Sequence, residues 1–138
     1  ENEKPKVAED DGKEENSQET RQTHAKKNGY AKIEPLVNKW IKDEMFTKAE
    51  ISIKDAASQM GTNSNYLSQY INKELNTSFA TWLNTLRIEK SKEYLCGEER
   101  ISIEECGVKV GYPNIYNFSR WFKIVTGMSP SEWRKLQL

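Results

Sequence analysis

The chain has 138 residues, of which 36% are hydrophobic and 30% charged, and its 21 basic and 21 acidic side chains leave no formal net charge. That length holds one domain of ordinary size, or two very small helical subdomains on a shared connector, and excludes a large catalytic fold with its own substrate domain. No apolar run approaches the roughly 20 residues needed to cross a bilayer, and no basic-then-apolar leader opens the chain.

Residues 1–28 carry eight acidic and six basic side chains around Val7 and scattered Ala. So little apolar surface cannot offset the ordering entropy, and a disordered polar tail or linker is expected there. The first residue is Glu rather than Met. We therefore expect the C-terminal piece of something longer, with an input domain or membrane anchor upstream. Residues 29–138 keep fifteen basic against thirteen acidic groups and should form the folded domain.

Order should begin near Tyr30, where Ile33, Leu36, Val37, Trp40, Ile41 and Met45 recur at three- and four-residue steps, the mark of an amphipathic helix of about four turns. Ser52 with Asp55 three residues later caps a second helix that reaches Met60 and stops at Gly61. Asn63 or Ser64 caps a third, with Tyr66, Leu67, Tyr70 and Ile71 turned inward and Asn76 as a left-handed stop. Ser78 caps the longest helix, whose Phe79, Trp82, Leu83, Leu86, Tyr94 and Leu95 lead to Gly97.

The second half of the chain repeats the first. Ile51-Ser52-Ile53 recurs as Ile101-Ser102-Ile103 and Gly61 as Gly111; one inserted residue later, Leu67, Ser68 and Trp82 recur as Phe118, Ser119 and Trp133. A period of 50 to 51 residues means that one unit, a capped helix, a glycine turn and a second helix, is used twice in tandem. A last helix starts at Ser129 with Pro130 in its first turn and Glu132 at its third position. The expected fold is all-α, about seven helices in two helix-turn-helix subdomains, the first over about 33–77 and the second over about 101–138. A connector helix over about 78–96 joins them.

A helix, a short Gly-containing turn and a second helix place that second helix in the major groove of DNA. Two copies on one connector could read one face of a duplex about 34 Å apart, one helical turn. The zero net charge argues against a nucleic-acid partner, yet from Gly107 to Leu138 five basic residues (Lys109, Arg120, Lys123, Arg134, Lys135) face the single acid Glu132, a local positive patch.

The segments GTNSNYLSQYINKEL, LRIEKSKEYL and GYPNIYNFSRWFKIVTGMSPSEWR resemble the AraC/XylS family of bacterial regulators over about residues 33–137. The second half carries the specific part, at Gly111, Tyr112, Phe118, Ser119, Arg120, Phe122, Lys123, Thr126, Gly127, Ser129, Pro130, Trp133 and Arg134. The resemblance implies seven helices and sequence-specific regulation of transcription by two recognition helices, about Ser64 to Leu75 and Ile115 to Val125, on direct-repeat half-sites. It also implies a separate upstream sensor, signalling or membrane-linked domain. Three features depart from the pattern. Asn117 stands where a Tyr is usual and Gly107 where Ala is usual, and the first recognition helix lacks the Arg or Lys often found near Gln69.

The DNA-reading candidates are the residues outside the buried stripes. In the first unit these are Ser64, Asn65, Ser68, Gln69 and Asn72; Asn65 and Gln69 share a face, and either carboxamide can pair with adenine through two bonds. In the second they are Ile115, Tyr116, Ser119, Arg120 and Lys123. Ile115 or Tyr116 suits a thymine methyl and Arg120 a guanine or a phosphate, its bland alternative being an ion pair with Glu104 or Glu105. Asn72, Lys123 and the helix-starting Ser78 and Ser129 are candidate backbone contacts. Trp40, Trp82, Trp121 and Trp133 could stack on bases, but their helical spacing assigns them to the core.

Catalysis is not expected. The lone histidine, His24, falls in the tail, so a Ser/His/Asp triad, a Cys/His dyad or a His-ligated metal would rest on a disordered residue. Glu104 and Glu105 point about 100° apart on a helix, and a capping role for Glu105 is simpler. Cys96 and Cys106 give neither a disulfide framework nor a zinc spacing and read as reduced thiols of a cytoplasmic protein. No cofactor and no small-molecule site is expected. The partners are double-stranded DNA and RNA polymerase, and the rival from another class is a helical protein-interaction module, which the neutral charge supports.

Overall fold

The computed structural model describes residues 32–137, which contain seven α-helices and no strand. The expected tail, with His24, lies outside the described residues. The described chain divides into two compact units, one of residues 32–44 with Ile51–Trp82, the other of Met45–Glu50 with everything from Leu83 onward.

In the first unit α1 (residues 32–42) buries Ile33, Val37 and Trp40, the expected stripe. It ends short of Met45, however. Glu44 takes a left-handed φ of 57°, and Met45–Thr47 form a separate 3-10 turn. The reason is Phe46, which is 4% exposed. In a continued helix it would lie nine residues, two and a half turns, past Val37 and so on the opposite, solvent-facing side. Breaking the helix lets Phe46 bury.

Helix α2 (Ile53–Met60) opens on a reciprocal capping box: Asp55 N–H donates to Ser52 Oγ at 3.1 Å and Ser52 N–H to Asp55 Oδ2 at 3.0 Å. Gly61 closes it at φ 87°. Helix α3 (Ser64–Gln69) is capped by Asn63, whose Oδ1 accepts from Tyr66 N–H at 2.8 Å. It runs on as one π turn, Tyr70–Glu74, before the left-handed stop at Asn76, φ 56°. The first turn of α4 (Phe79–Cys96) completes this unit. Ser78 Oγ accepts from Thr81 N–H at its start, and Trp82 stacks on Trp40 at 5.7 Å between ring centroids and 18° between planes. Trp40 Nε1 donates to Gln59 Oε1 at 2.8 Å, so both tryptophans sit in the core as expected.

The second unit carries the remainder of α4 with α5 (Ile103–Lys109), α6 (Ile115–Thr126) and α7 (Pro130–Leu136). Ser102 with Glu105 and Ser129 with Glu132 form capping boxes, which accounts for Glu105. Its core is Ile88, Leu95, Cys106, Val110, Tyr112, Phe118 and Phe122, flanked by the half-buried Trp121 and Trp133. The rings run Tyr112, Phe118, Phe122, Trp133 with centroids 5.5, 5.8 and 6.0 Å apart. Gly107, out of pattern by sequence, is what admits Phe118: a Cβ there would stand 3.0 Å from its Cγ and Cδ2.

Two arginines tie this unit together. Arg87 on α4 is 6% exposed. Its Nε donates to Phe46 O at 2.8 Å and its Nη2 to Lys48 O at 2.6 Å, and its guanidinium lies 5.3 Å from the Tyr112 ring centroid. Gly111 passes so close that a Cβ would stand 2.8 Å from Arg87 Nε, and its φ of 111° also favours glycine. Arg134 on α7 donates Nε to Leu95 O at 3.2 Å and Nη2 to Ile101 O at 2.8 Å. It closes the C-terminal end of α4, so it drops out of the positive patch inferred from sequence.

Candidate nucleic-acid interface

Helices α3 and α6 are the second helices of the two repeats, and a shift of 51 residues superposes their sequence landmarks. The caps Asn63 and Asn114 correspond, as do the buried Leu67 and Phe118, the buried Ile71 and Phe122, and the left-handed stops Asn76 and Gly127. The inserted residue falls in the turn: Gly61-Thr62-Asn63 in the first unit becomes Gly111-Tyr112-Pro113-Asn114 in the second, and the longer turn delivers Tyr112 to the core at 5% exposure.

On α6, Asn114 Oδ1 accepts from the N–H groups of Tyr116 and Asn117 at 2.7 and 3.3 Å. Tyr116 is 80% exposed, an unusual place for an aromatic ring with no ring or cation partner among the described residues. Arg120 and Lys123 are exposed one and two turns further on, while Ile115 and Ser119 are half-buried. The bland alternative for Arg120 is not met: its guanidinium lies 5.7 Å from the centroid of the neighbouring Trp121 ring, and no carboxylate pairs with it among the described residues. Tyr116, Arg120 and Lys123 thus share one outward face carrying two cations. Beside the start of α6 an open cleft of about 350 Å³ is lined by Glu50, Asn84, Arg87, Tyr112, Asn117 and Arg120. Tyr112 Oη donates to Asn84 Oδ1 there, and burial raises the phenol's pKa, with Arg87 opposing the shift.

On α3 the arrangement differs from the expectation at two positions. Gln69, expected on the outer face, is 9% exposed, and its Nε2 donates to Asn65 Oδ1 at 3.2 Å. Tyr66, expected inside, is 36% exposed. Leu67, Tyr70 and Ile71 fill the inner face, and with Gln69 beside them Tyr66 is left at its edge. The repeat contained the signal, because Tyr66 corresponds to the exposed polar Asn117. Ser64, Asn65, Ser68 and Asn72 are all half-buried, and Asn72 Nδ2 donates to Ser68 Oγ at 3.4 Å. From Ser64 to Asn72 there is no cation. Among the described residues no cluster of His, Cys, Asp or Glu could hold a metal ion, and no helix is long and apolar enough to cross a membrane.

A family profile described as a helix-turn-helix domain matches residues 56–136. YtdP of Bacillus subtilis, an uncharacterized HTH-type transcriptional regulator, is 30% identical over 88 residues, which cover 64% of this chain and 11% of that protein. The arabinose operon regulatory protein of Escherichia coli is 32% identical over 95 residues, 69% of this chain and 32% of that protein. The chain thus spans a third or less of the length of these relatives. Among solved structures, the C-terminal domain of AraT, a response regulator from Geobacillus stearothermophilus, superposes with a TM-score of 0.64 at 30% identity. The superposition covers 74% of this chain and 85% of that one. The DNA-binding domain of AdpA, solved in complex with a target DNA, has a TM-score of 0.63 over 75% of this chain and 90% of that one; at 14% identity it shows the fold alone.

Proposed function

Because this chain belongs to the AraC-type helix-turn-helix family of DNA-binding transcription regulators, we propose that it is the output domain of a longer bacterial regulator, reading a promoter through α3 and α6. Each helix enters a major groove, on half-sites about one helical turn apart. The observation that carries this reading is the outward face of α6, where Tyr116, Arg120 and Lys123 stand exposed on a helix whose other side is locked into the core by Phe118 and Phe122.

The chemistry divides between the helices. On α6, Arg120 supplies a guanidinium for guanine or a phosphate, Lys123 a phosphate contact, and Tyr116 with Ile115 an apolar surface for a thymine methyl, with Ser119 beside them. On α3, Asn65, Ser64 and Ser68 reach base edges and Asn72 the backbone, with Gln69 standing behind Asn65. The work is done in the cytoplasm, without catalysis. RNA polymerase, or a signal from an upstream sensor, signalling or membrane-linked domain, sets the transcriptional result.

Titrating the whole chain into a labelled promoter duplex by fluorescence anisotropy tests the reading. Arg120→Ala should cost about 1 to 3 kcal/mol if Arg120 reads a base, and Lys123→Ala should weaken all duplexes alike and lower the salt slope by about one. Binding that ignores salt and both substitutions would favour a protein-interaction module instead.

A further inference from the structure

From Ser64 to Asn72 every side chain is neutral, and two of them are bonded in a defined direction. Gln69 Nε2 donates to Asn65 Oδ1, and the donor is 9% exposed while the acceptor is half-buried. Gln69, among Leu67, Tyr70 and Ile71, is placed behind Asn65. A lone asparagine is an ambiguous reader, since its carboxamide can turn over to present either its oxygen or its amino group. The bond from Gln69 opposes that turning over. One lone pair of Oδ1 is taken within the helix, and the Asn65 Nδ2 amino group has no partner among the described residues.

We propose that Gln69 is a positioning residue that fixes Asn65 as a hydrogen-bond donor, so that the first unit selects guanine over adenine at one base pair of its half-site. Guanine presents two acceptors in the major groove, N7 and O6; adenine presents N7 beside an amino group, which would set N–H against N–H. The paired-bond contact to adenine expected for this position needs Oδ1 to accept a second bond beside the one from Gln69, whereas the guanine contact uses the unpartnered amino group alone. The inference rests on the DNA reading above and adds to it the identity of the base and the group that dictates it.

The test is selection from a random duplex pool with the whole 138-residue chain, run in parallel on the unsubstituted protein, Asn65→Ala, Gln69→Met and Gln69→Glu. The unsubstituted protein should prefer guanine over adenine about fivefold or more at one position of the first half-site, the lower end of what a good side-chain pair gives. Asn65→Ala and Gln69→Met should bring that ratio close to one. Gln69→Glu replaces the donor by an acceptor, which draws the Asn65 amino group inward and turns its oxygen out, so the preference should move to adenine. The added charge weakens every duplex alike and leaves base ratios elsewhere untouched. Unchanged base frequencies at the other positions of the first half-site show that the first unit is folded in each variant. Retention of the guanine preference in Gln69→Glu or Asn65→Ala, with the rest of the first half-site intact, would overturn the proposal. No enriched motif with the unsubstituted chain would instead overturn the DNA reading and this inference with it.

Discussion

Replacing Arg87 by Ala strips the second unit of a buried cation with three partners: the carbonyls of Phe46 and Lys48, at 2.8 and 2.6 Å, and the face of Tyr112. A hydrogen bond to a charged group contributes about 1.5–3 kcal/mol, so the two amount to about 3–6 kcal/mol, and the ring adds about 1 kcal/mol. Against this stands the desolvation of the guanidinium, which holds its pKa below the ordinary arginine value and which the substitution relieves. The carbonyls left behind keep their own burial cost, and a net loss of about 3 kcal/mol results. Arg87→Lys retains a charge but lacks the second arm of the fork, so about half that loss is expected. Urea unfolding followed by circular dichroism measures both variants, with a slope of about 1–2 kcal/mol/M for a domain of this size. The Ala midpoint should fall by about 1.5–3 M. A loss below about 1 kcal/mol for Arg87→Ala, or a Lys variant as damaged as the Ala one, would refute this account of the clamp.

The same unfolding assay should find Gly107→Ala destabilising by about 1 kcal/mol, despite the helix-propensity gain, because Phe118 is fully buried between Tyr112 and Phe122 and cannot retreat from the new Cβ. Alkylation followed by mass spectrometry should label the exposed Cys96 rapidly and Cys106 only on unfolding, since burial raises the Cys106 thiol to about 11. Asp55 and Glu132 are held below their usual 3.8 and 4.5 chiefly by the backbone N–H groups of Ser52 and Ser129. A depressed folded-state pKa gives stability that is present above the unfolded value and lost as pH falls through and below it. Unfolding measured between pH 6 and pH 3 should therefore show an acid-side loss that is shallower in Asp55→Asn and Glu132→Gln.

Helix starts were legible because each is written locally: Ser52 with Asp55, Ser102 with Glu105 and Ser129 with Glu132 all cap as their spacing dictates. The repeat was legible too, since its landmarks are caps, glycines and large apolar groups. The end of α1 was not, because the burial of Phe46 within the second unit overrides a helical stripe that runs on through Met45. Nor was the role of Arg134, which looks like one more cation until the carbonyls of Leu95 and Ile101 are brought to it from 39 and 33 residues away. In the candidate interface, α6 followed its periodicity. On α3 Gln69 and Tyr66 did not, although both lie in its regular α-helical part: facing was assigned from polarity, and a glutamine whose amide is bonded to Asn65 can be buried while a tyrosine stays at the edge.

Two helices of one chain reading two stretches of duplex DNA should reveal themselves in a selection from a random duplex pool at two salt concentrations. An enriched motif of two unlike half-sites about ten base pairs apart, with affinity falling steeply as salt rises, is the predicted result. A pool that stays random at both salt concentrations, or binding indifferent to salt, would contradict it.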